Sequence, residues 1–547
     1  VVLVYPNRYP VGMSNLGFQV VYRLLNTIEG VRCERAFLPD DGTQPQGRTL
    51  TVESGKPLTD FDVIAFSVSF ENDYPNILAL LAAAGLPLQS CERSDTHPLV
   101  IAGGVACLLN PEPLAPFIDC FLIGEAEAML EGFCDCLGEA GFPDRREREP
   151  LLVACARQVR GAYIPRFYRP VHGQDGTLSS VDVLADVPPK IERTFLSDLS
   201  QAPACSGVLT PHTTFENTFL IEVGRGCPHG CRFCSAGYVY RPPRFRPLSL
   251  LQACLRQGAA ATERIGLVGA AVADLPGIDE LCRGAAAKDI RISFSSLRAD
   301  ALDDELLAAL RRNRVKTATI APDAGSERLR RVINKGLDEA AVLRAAERLV
   351  DNGIPNLKLY FMIGLPTETA EDIDAIVGLC KKIKHVFLRR SRGRKKIGNI
   401  TVSLSCFVPK PVTPFQWAAM ADVAALKNKI RAVKEGLKRV SNVRVHADVP
   451  RWAYIQALLS RGDRRVAGLL ALAHKNRLNW PQSLKASPLN ADFYVVRPRE
   501  VEEILPWDFI DHGVEKSFLA REYGRALAGK PSPPCPMDDC RRCGICT

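Results

Sequence analysis

At 547 residues the chain is longer than one hydrophobic core organises, and two to three domains are expected. Its composition (46% hydrophobic, 24% charged, net charge +9) is that of a globular protein, and no apolar run reaches the ~18 residues of a membrane span, so no membrane association is expected. Nineteen cysteines in so large a chain, with no secretory leader in view, argue for reduced thiols rather than a disulfide scaffold, and the expected location is the cytoplasm.

Val1-Val-Leu-Val-Tyr5 reads as a buried strand from the first residue, so a short N-terminal piece with its Met is expected to precede it. A helix from Phe18 to Leu25 follows. Further apolar runs begin at Asp62, Pro98 and Cys120, with a helix near 77–84. This alternation over residues 1–148 predicts a doubly wound, Rossmann-like parallel sheet. Ligands bind such sheets at the carboxyl ends of the strands, where Ser67, Ser69, Gly103 and Gly104 fall. Residues 149–215 read as a hairpin and Pro-rich linker, with Ala162 to Tyr168 and Leu178 to Val183 as its arms.

From 216 to 440 six β/α steps are expected, with strands at 219–223, 264–268, 291–294, 317–321, 356–363 and 400–407. Six parallel units predict a partial (β/α)6 TIM-like barrel with its active residues at the C-terminal strand ends. Directly after the first of these strands stand Cys227, Cys231 and Cys234, spaced C-x3-C-x2-C, with Phe233 before the last. Three thiolates can hold three corners of a 4Fe-4S cubane, whereas electron-transfer clusters take four. A zinc knuckle, which needs a fourth ligand that His229 supplies only awkwardly, and three unrelated core thiols are the competing readings.

The triad with its aromatic resembles the radical S-adenosylmethionine (SAM) superfamily. The likeness extends through Val11 to Gly17, Leu99 to Gly104, Tyr240-Arg-Pro, Ala324 to Arg330 with Asn334-Lys335, Phe407 to Trp417 and Pro506 to Gly513. It implies an enzyme whose three Cys carry a 4Fe-4S cluster that cleaves SAM to a 5'-deoxyadenosyl radical. Phe233 is then expected near the adenine, and the small turn at Gly269 and Ala270 near the SAM amino group. Ser295 and Ser296 are expected at a ribose or carboxylate, Arg328 as a fork on the SAM carboxylate with the acid Asp323 and the hydroxyl Ser326 presented at the same strand end, and Gly364 in a turn under adenine. Each of these has a plainer reading as a helix cap, a βα turn or a surface residue. The first domain resembles the cobalamin-binding-like domain that precedes many such cores, but its Asp-x-His-x-x-Gly motif is absent. Cobalamin bound without a protein ligand and a scaffold that binds none are both left open.

The region 441–547 is expected to form a basic accessory segment ending in a Cys-rich tail. Cys535, Cys540, Cys543 and Cys546 stand at C-x4-C-x2-C-x2-C. A second iron–sulfur cluster and a zinc ion suit them equally, and a redox-active tail without metal is the bland alternative. Residues 381–480 hold 23 Lys/Arg against four acids, an excess of +19 that leaves −10 for the rest. Such a stripe suits RNA or another anionic substrate, although most charge runs are solvated faces.

The chain is therefore read as α/β in three parts: Rossmann-like domain, partial barrel and accessory segment. Its expected function is radical SAM modification of an unreactive carbon, with SAM and a reductant such as flavodoxin or ferredoxin as partners. A small-molecule cobalamin-dependent radical SAM methyltransferase is one alternative. A non-catalytic iron–sulfur protein that senses redox state or binds RNA is the other.

Overall fold

The structure is a computed structural model describing all residues except 41–48, 145–146, 287–289, 295–297, 314, 392–397, 538–539 and 547. Strands Val2–Tyr5, Val63–Ser67 and Leu99–Gly103 are apolar along their length, as a sheet covered on both faces requires. They form the centre of a six-stranded sheet. Glu34–Phe37 flanks Val2–Tyr5 on one edge, and Cys120–Leu122 follows Leu99–Gly103 on the other. The parallel strands run in the order second, first, third, fourth, fifth. This places a topological switch between Val2–Tyr5 and Val63–Ser67, where a crevice opens at the strand ends. Register pairs Ser67 with Gly103 there.

Two expectations change here. Glu34–Phe37 escapes notice as a strand because two of its four residues are charged: Arg35 is neutralised by Glu53 at 2.6 Å, and Glu34 accepts hydrogen bonds from Thr51 and Ser54. Ala162–Tyr163 is not part of the hairpin but pairs antiparallel with Cys120–Leu122 as the sixth strand. Helix Arg148–Gln158 precedes it, anchored by Arg148 to the buried Asp119 at 2.9 Å. The first unit thus runs past residue 148, and the hairpin proper is Tyr168–His172 with Leu178–Val183.

The second unit holds parallel strands in two sheets. Phe219–Glu222, Arg264–Val268 and Arg291–Phe294 form one. Thr317–Asp323, Asn356–Ile363, Ile400–Cys406 and Val443–Ala447 form the other. The barrel therefore has seven described strands rather than six. Val443–Ala447 falls in the span expected to be accessory; its alternation with Arg444 and His446 hides it in a charged stretch. Helices begin where the sequence supplies caps: Asp303, Asp338 and a Thr369/Asp372 capping box.

The C-terminal part ties the units together. Helix Val466–Lys475 packs on helix Tyr74–Ala83 of the first unit, and Asn110 donates to the Ser460 and Gly462 carbonyls at 3.0 and 2.7 Å. Ile510–Asp511 pairs with Ile191–Glu192 of the linker. Among the described residues no helix is long and apolar enough to cross a membrane.

Candidate active site at the cysteine loop and the interdomain cavity

After strand Phe219–Glu222, Gly224–Arg225 pairs antiparallel with Arg244–Phe245, so residues 226–243 leave the sheet as a loop closed at its base. Gly226 sits at φ +81°, and a Cβ there would lie 2.8 Å from the Tyr240 carbonyl oxygen; no other residue fits. Inside the loop the Cys234 N–H donates to the Cys231 carbonyl at 3.1 Å, and the Tyr238 hydroxyl donates to the Gly230 carbonyl at 3.2 Å. Cys231 is buried, and Cys227 and Cys234 are half-buried. His229 turns to Asp274 at 2.9 Å and is thereby occupied apart from the thiols.

Burial pushes the Cys231 thiol up to about 12, with Lys335 opposing, and pushes Cys227 up to about 11. Left alone these thiols stay protonated at neutral pH, and a bound cation would shift them to thiolates. Among the charges acting on Cys231 is a buried ion pair, Lys335 Nζ to Asp323 Oδ2 at 2.6 Å. Asp323 adopts φ +61°, a left-handed conformation a non-glycine residue seldom takes, and burial raises its pKa against the pull of Lys335. Arg298, whose charge reaches Cys227 and Cys231, forks onto Asp300 at 2.8 and 3.0 Å. Phe233 packs against a small apolar cluster that includes Ala324, Leu365 and Phe407, which follow three neighbouring strands. Among the described residues no three Cys, His, Asp or Glu side chains already stand tight enough to grip an ion, the triad included. Three thiols on one short loop with hard ligands turned elsewhere nevertheless match the donor set of a soft iron–sulfur centre.

A cavity of about 610 Å³ lies between the two units. One wall carries Ser67, Ser69, Gly103 and Gly104 from the first sheet; the other carries Glu222, Arg225 and Gly226, at the approach to the triad, with Gly269 and Ala270. Gly104, at φ +105°, brings its backbone so close to Val68 that a Cβ would lie 2.4 Å from the Val68 carbonyl oxygen. The lining is mostly apolar and contains no His.

The cavity's charges are buried and mutually neutralised. Arg225 reaches Glu125 at 2.9 Å, Glu127 at 2.5 Å and Glu222 at 3.0 Å; Arg244 reaches Glu125 at 2.7 Å; Arg246 pairs with Glu222. Three guanidinium groups of the second unit thus meet two carboxylates of the first and one of their own. Burial alone would raise Glu125 and Glu127. The hydrogen bonds and charges of Arg244 and Arg225 at Glu125, and of Arg225 at Glu127, outweigh it and hold both below the ordinary carboxylate value.

The remaining expected site residues separate. Ser295 and Ser296 lie outside the described residues. Ser326 caps helix Glu327–Val332 and hydrogen-bonds Asp372, and Arg328 is committed to Asp372 and the Thr367 carbonyl. These two therefore join helix Ala370–Arg390, on whose backbone Gly325 lies directly. Gly364, at φ +81°, forms a turn closed by Glu368, whose carboxylate accepts its N–H at 2.7 Å. The groups at the triad that the expected set omits are Lys335, Arg298 and Asn334, whose Nδ2 donates to the Gly230 carbonyl at 3.0 Å. Asn334-Lys335 stands in the likeness quoted above, but spacing alone does not bring it back to a loop 100 residues earlier.

Several of the basic residues are also engaged. Lys382 pairs with Glu339, and Arg389 and Arg390 pair with Glu347. Arg461 is fully buried and donates to the Ala418 carbonyl, while Arg464 bonds Glu112 and the Tyr163 hydroxyl of the first unit. Residues 392–397 of the densest run lie outside the described residues.

A cysteine loop at the end of the first strand of a parallel α/β barrel, behind a doubly wound domain, defines a metal-cluster enzyme class. Two family models agree with that reading: the one described as Radical SAM superfamily matches residues 221–380, and the one described as Radical SAM proteins, N-terminal, matches 17–165. The chain belongs to the radical SAM superfamily and is an enzyme of it, whose fold takes a 4Fe-4S cluster and SAM. An uncharacterised protein of Methanocaldococcus jannaschii is 29% identical over 523 residues, covering 95% of this chain and 98% of that one. Among solved structures, the radical SAM methyltransferase TsrM from Kitasatospora setae, with tryptophan and a SAM analogue bound, is similar at 13% identity and TM-score 0.46, over 73% of this chain and 72% of that one. The cobalamin-dependent SAM radical enzyme OxsB, with aqua-cobalamin and SAM bound, is similar at 13% identity and TM-score 0.44, over 96% and 78%.

Proposed function

We propose that this enzyme holds its cluster on Cys227, Cys231 and Cys234 and works with a corrinoid in the interdomain cavity to methylate an unreactive carbon of a compact, uncharged acceptor. The observation that carries the reading is the cavity itself, a single apolar space bounded by the ligand-binding strand ends of both units. A cluster held by three thiolates supplies SAM with an iron and an electron for its cleavage, and a corrinoid supplies a transferable methyl group.

The residues of the chain have four tasks. Gly103 and Gly104 let backbone approach a flat cofactor, and Ser67 and Ser69 offer it hydroxyl groups. The Lys335–Asp323 pair sets the charge beside Cys231. The Arg225 network holds the base of the cysteine loop against the first unit. The apolar walls exclude water. With no His in the lining, a corrinoid here has no protein imidazole beneath its metal. What favours a compact acceptor over RNA is that the cavity's charges cancel and that many of the described basic residues of 381–480 are paired or buried.

Anaerobically reconstituted protein is expected to convert SAM to 5'-deoxyadenosine and methionine under strong reductant, and to retain hydroxocobalamin through gel filtration with a changed absorbance spectrum. Val105 is half-buried in the cavity wall at the start of helix Val105–Leu109. Val105→Trp fills that space and is expected to weaken corrinoid binding by on the order of tenfold, about 1.4 kcal/mol, with iron content unchanged. A wild-type protein that cleaves SAM but retains no corrinoid overturns the corrinoid reading alone; no SAM cleavage overturns the whole.

A further inference from the structure

The end of the chain comes back to the loop that carries the triad. The Cys535 N–H donates to the Pro228 carbonyl at 2.7 Å, one residue beyond Cys227. The Ser532 N–H donates to Asn334 Oδ1 at 2.8 Å, and the other end of that side chain holds Gly230. Arg232, between Cys231 and Phe233, is fully buried. Its guanidinium donates to the Glu522 carboxylate at 3.0 Å, the Lys530 carbonyl at 2.8 Å and the Ser532 hydroxyl at 3.0 Å. The tail is thus fastened to both halves of the triad loop.

Beyond this point the chain folds along helix Lys516–Leu527: the Glu515 N–H donates to the Cys543 carbonyl at 2.9 Å, and Arg521 donates to the Arg542 carbonyl at 3.2 Å. Cys540 and Cys543 are buried, Cys535 and Cys546 are half-buried, and Cys546 is within electrostatic reach of the other three. A cavity of about 320 Å³ has Cys535 and Cys540 in its wall beside Gly230, Tyr238 and Asn334. Residues 535–546 contain no described helix or strand, and besides the thiols only Pro536, Met537 and Ile545 are apolar. So little apolar surface does not order an irregular segment, whereas four thiolates around a metal supply folding free energy directly.

We propose that Cys535, Cys540, Cys543 and Cys546 form a second thiolate metal centre, whose loading clamps the C-terminal tail onto the loop bearing Cys227, Cys231 and Cys234. The ligand chemistry is a soft four-thiolate set, which an iron–sulfur cluster and a zinc ion would share. The centre stands whether or not a corrinoid is bound.

The test is metal and sulfide analysis of the full chain, grown with iron and zinc and purified anaerobically, for wild type, Cys231→Ala and the double variant Cys540→Ser/Cys543→Ser. Wild type is expected to carry more than the triad's about four irons: about four further irons with sulfide if the occupant is a cluster, or about one zinc if it is not. The double variant should lose that excess and keep the triad's iron, which also reports that it folds; Cys231→Ala should do the reverse. Trypsin gives a second readout, since Arg541 and Arg542 are exposed between the buried thiols: they should be cut in the double variant and in chelator-treated wild type, and protected in loaded wild type. A wild type holding no metal beyond the triad's iron overturns the proposal even if the double variant does not fold, as does a folded double variant with wild-type metal content. Loss of triad iron in wild type with the tail metal retained counts against the proposed function and leaves the second centre standing.

Discussion

Replacing Cys231 with alanine is expected to remove the triad's iron and reduce SAM cleavage to background while leaving the fold in place. Cys231 is the most enclosed of the three thiols, buried beside the Lys335–Asp323 pair and backed by the Arg232 anchor. A cubane left with two protein ligands has two open irons and is lost rather than retained at reduced activity. The structural cost is small: one sulfur is removed from a loop whose closure depends on Gly226, the Gly224–Arg225 ribbon and Arg232, and truncating so small a side chain costs on the order of 1 kcal/mol. Iron and sulfide content, 5'-deoxyadenosine yield and a thermal melt distinguish the outcomes. A Cys231→Ala protein that keeps its iron and cleaves SAM would remove Cys231 from the ligand set. One that melts far below wild type would show that the thiol acts mainly in packing.

The second large effect is expected at Arg225. Its side chain is 12% exposed and its guanidinium is shared among Glu125, Glu127 and Glu222, so Arg225→Ala leaves these carboxylates close together with only Arg244 and Arg246 to answer them. Breaking a buried pair by removing one partner costs about 3–5 kcal/mol, because the remaining charge is stranded away from water. The loss should appear as an early unfolding transition of the first unit, since a chain of several cores need not melt in one step. A melting curve that overlays wild type would show that the network contributes nothing measurable.

The same carboxylates give the pH dependence a sign. Glu125 and Glu127 are held below their unfolded value, so their contribution is fully present above the ordinary carboxylate range and is lost as pH falls through their depressed folded values. Contact between the units should therefore weaken on acidification below about pH 4 and not on the alkaline side. Hydrogen exchange along strands Phe219–Glu222 and Leu99–Gly103, followed across that range, reports it. Exchange that rises with alkali instead would place the controlling groups elsewhere.

How far the chain could be read in advance depended on range. Val2–Tyr5, Val63–Ser67 and Leu99–Gly103 declare themselves by continuous apolar runs between turn residues, and Asn356–Ile363 by an apolar run from Leu357 broken only by Lys358. These are local patterns that period and composition carry. Glu34–Phe37 and Val443–Ala447 did not, because charged residues within each are neutralised or face outward only once the fold exists. Ala162–Tyr163 was given the wrong partner for a related reason: two residues cannot specify a sheet, and what places them is the anchor from Arg148 to Asp119 one element earlier.

Covalent proximity explains why the triad was legible: three thiols in eight residues after a strand need no partner from elsewhere to declare a metal chemistry. Ser326 and Arg328 engage Asp372 of helix Ala370–Arg390, a contact that follows from the close seat of Gly325 on that helix, which spacing does not encode. The groups that do approach the thiols, Lys335, Arg298 and Asn334, come from 64 to 108 positions along the chain, and the tail that fastens the loop comes from 300 away. Periodicity set the alternation of strands, and the Cys spacing pointed to a metal, while the class of cofactor came from the resemblance those residues carry. The cavity between the units, the neutralising of its charges and the return of the last four cysteines to the first three depend on contacts made only when distant segments are packed together, and desolvation gives those contacts their strength.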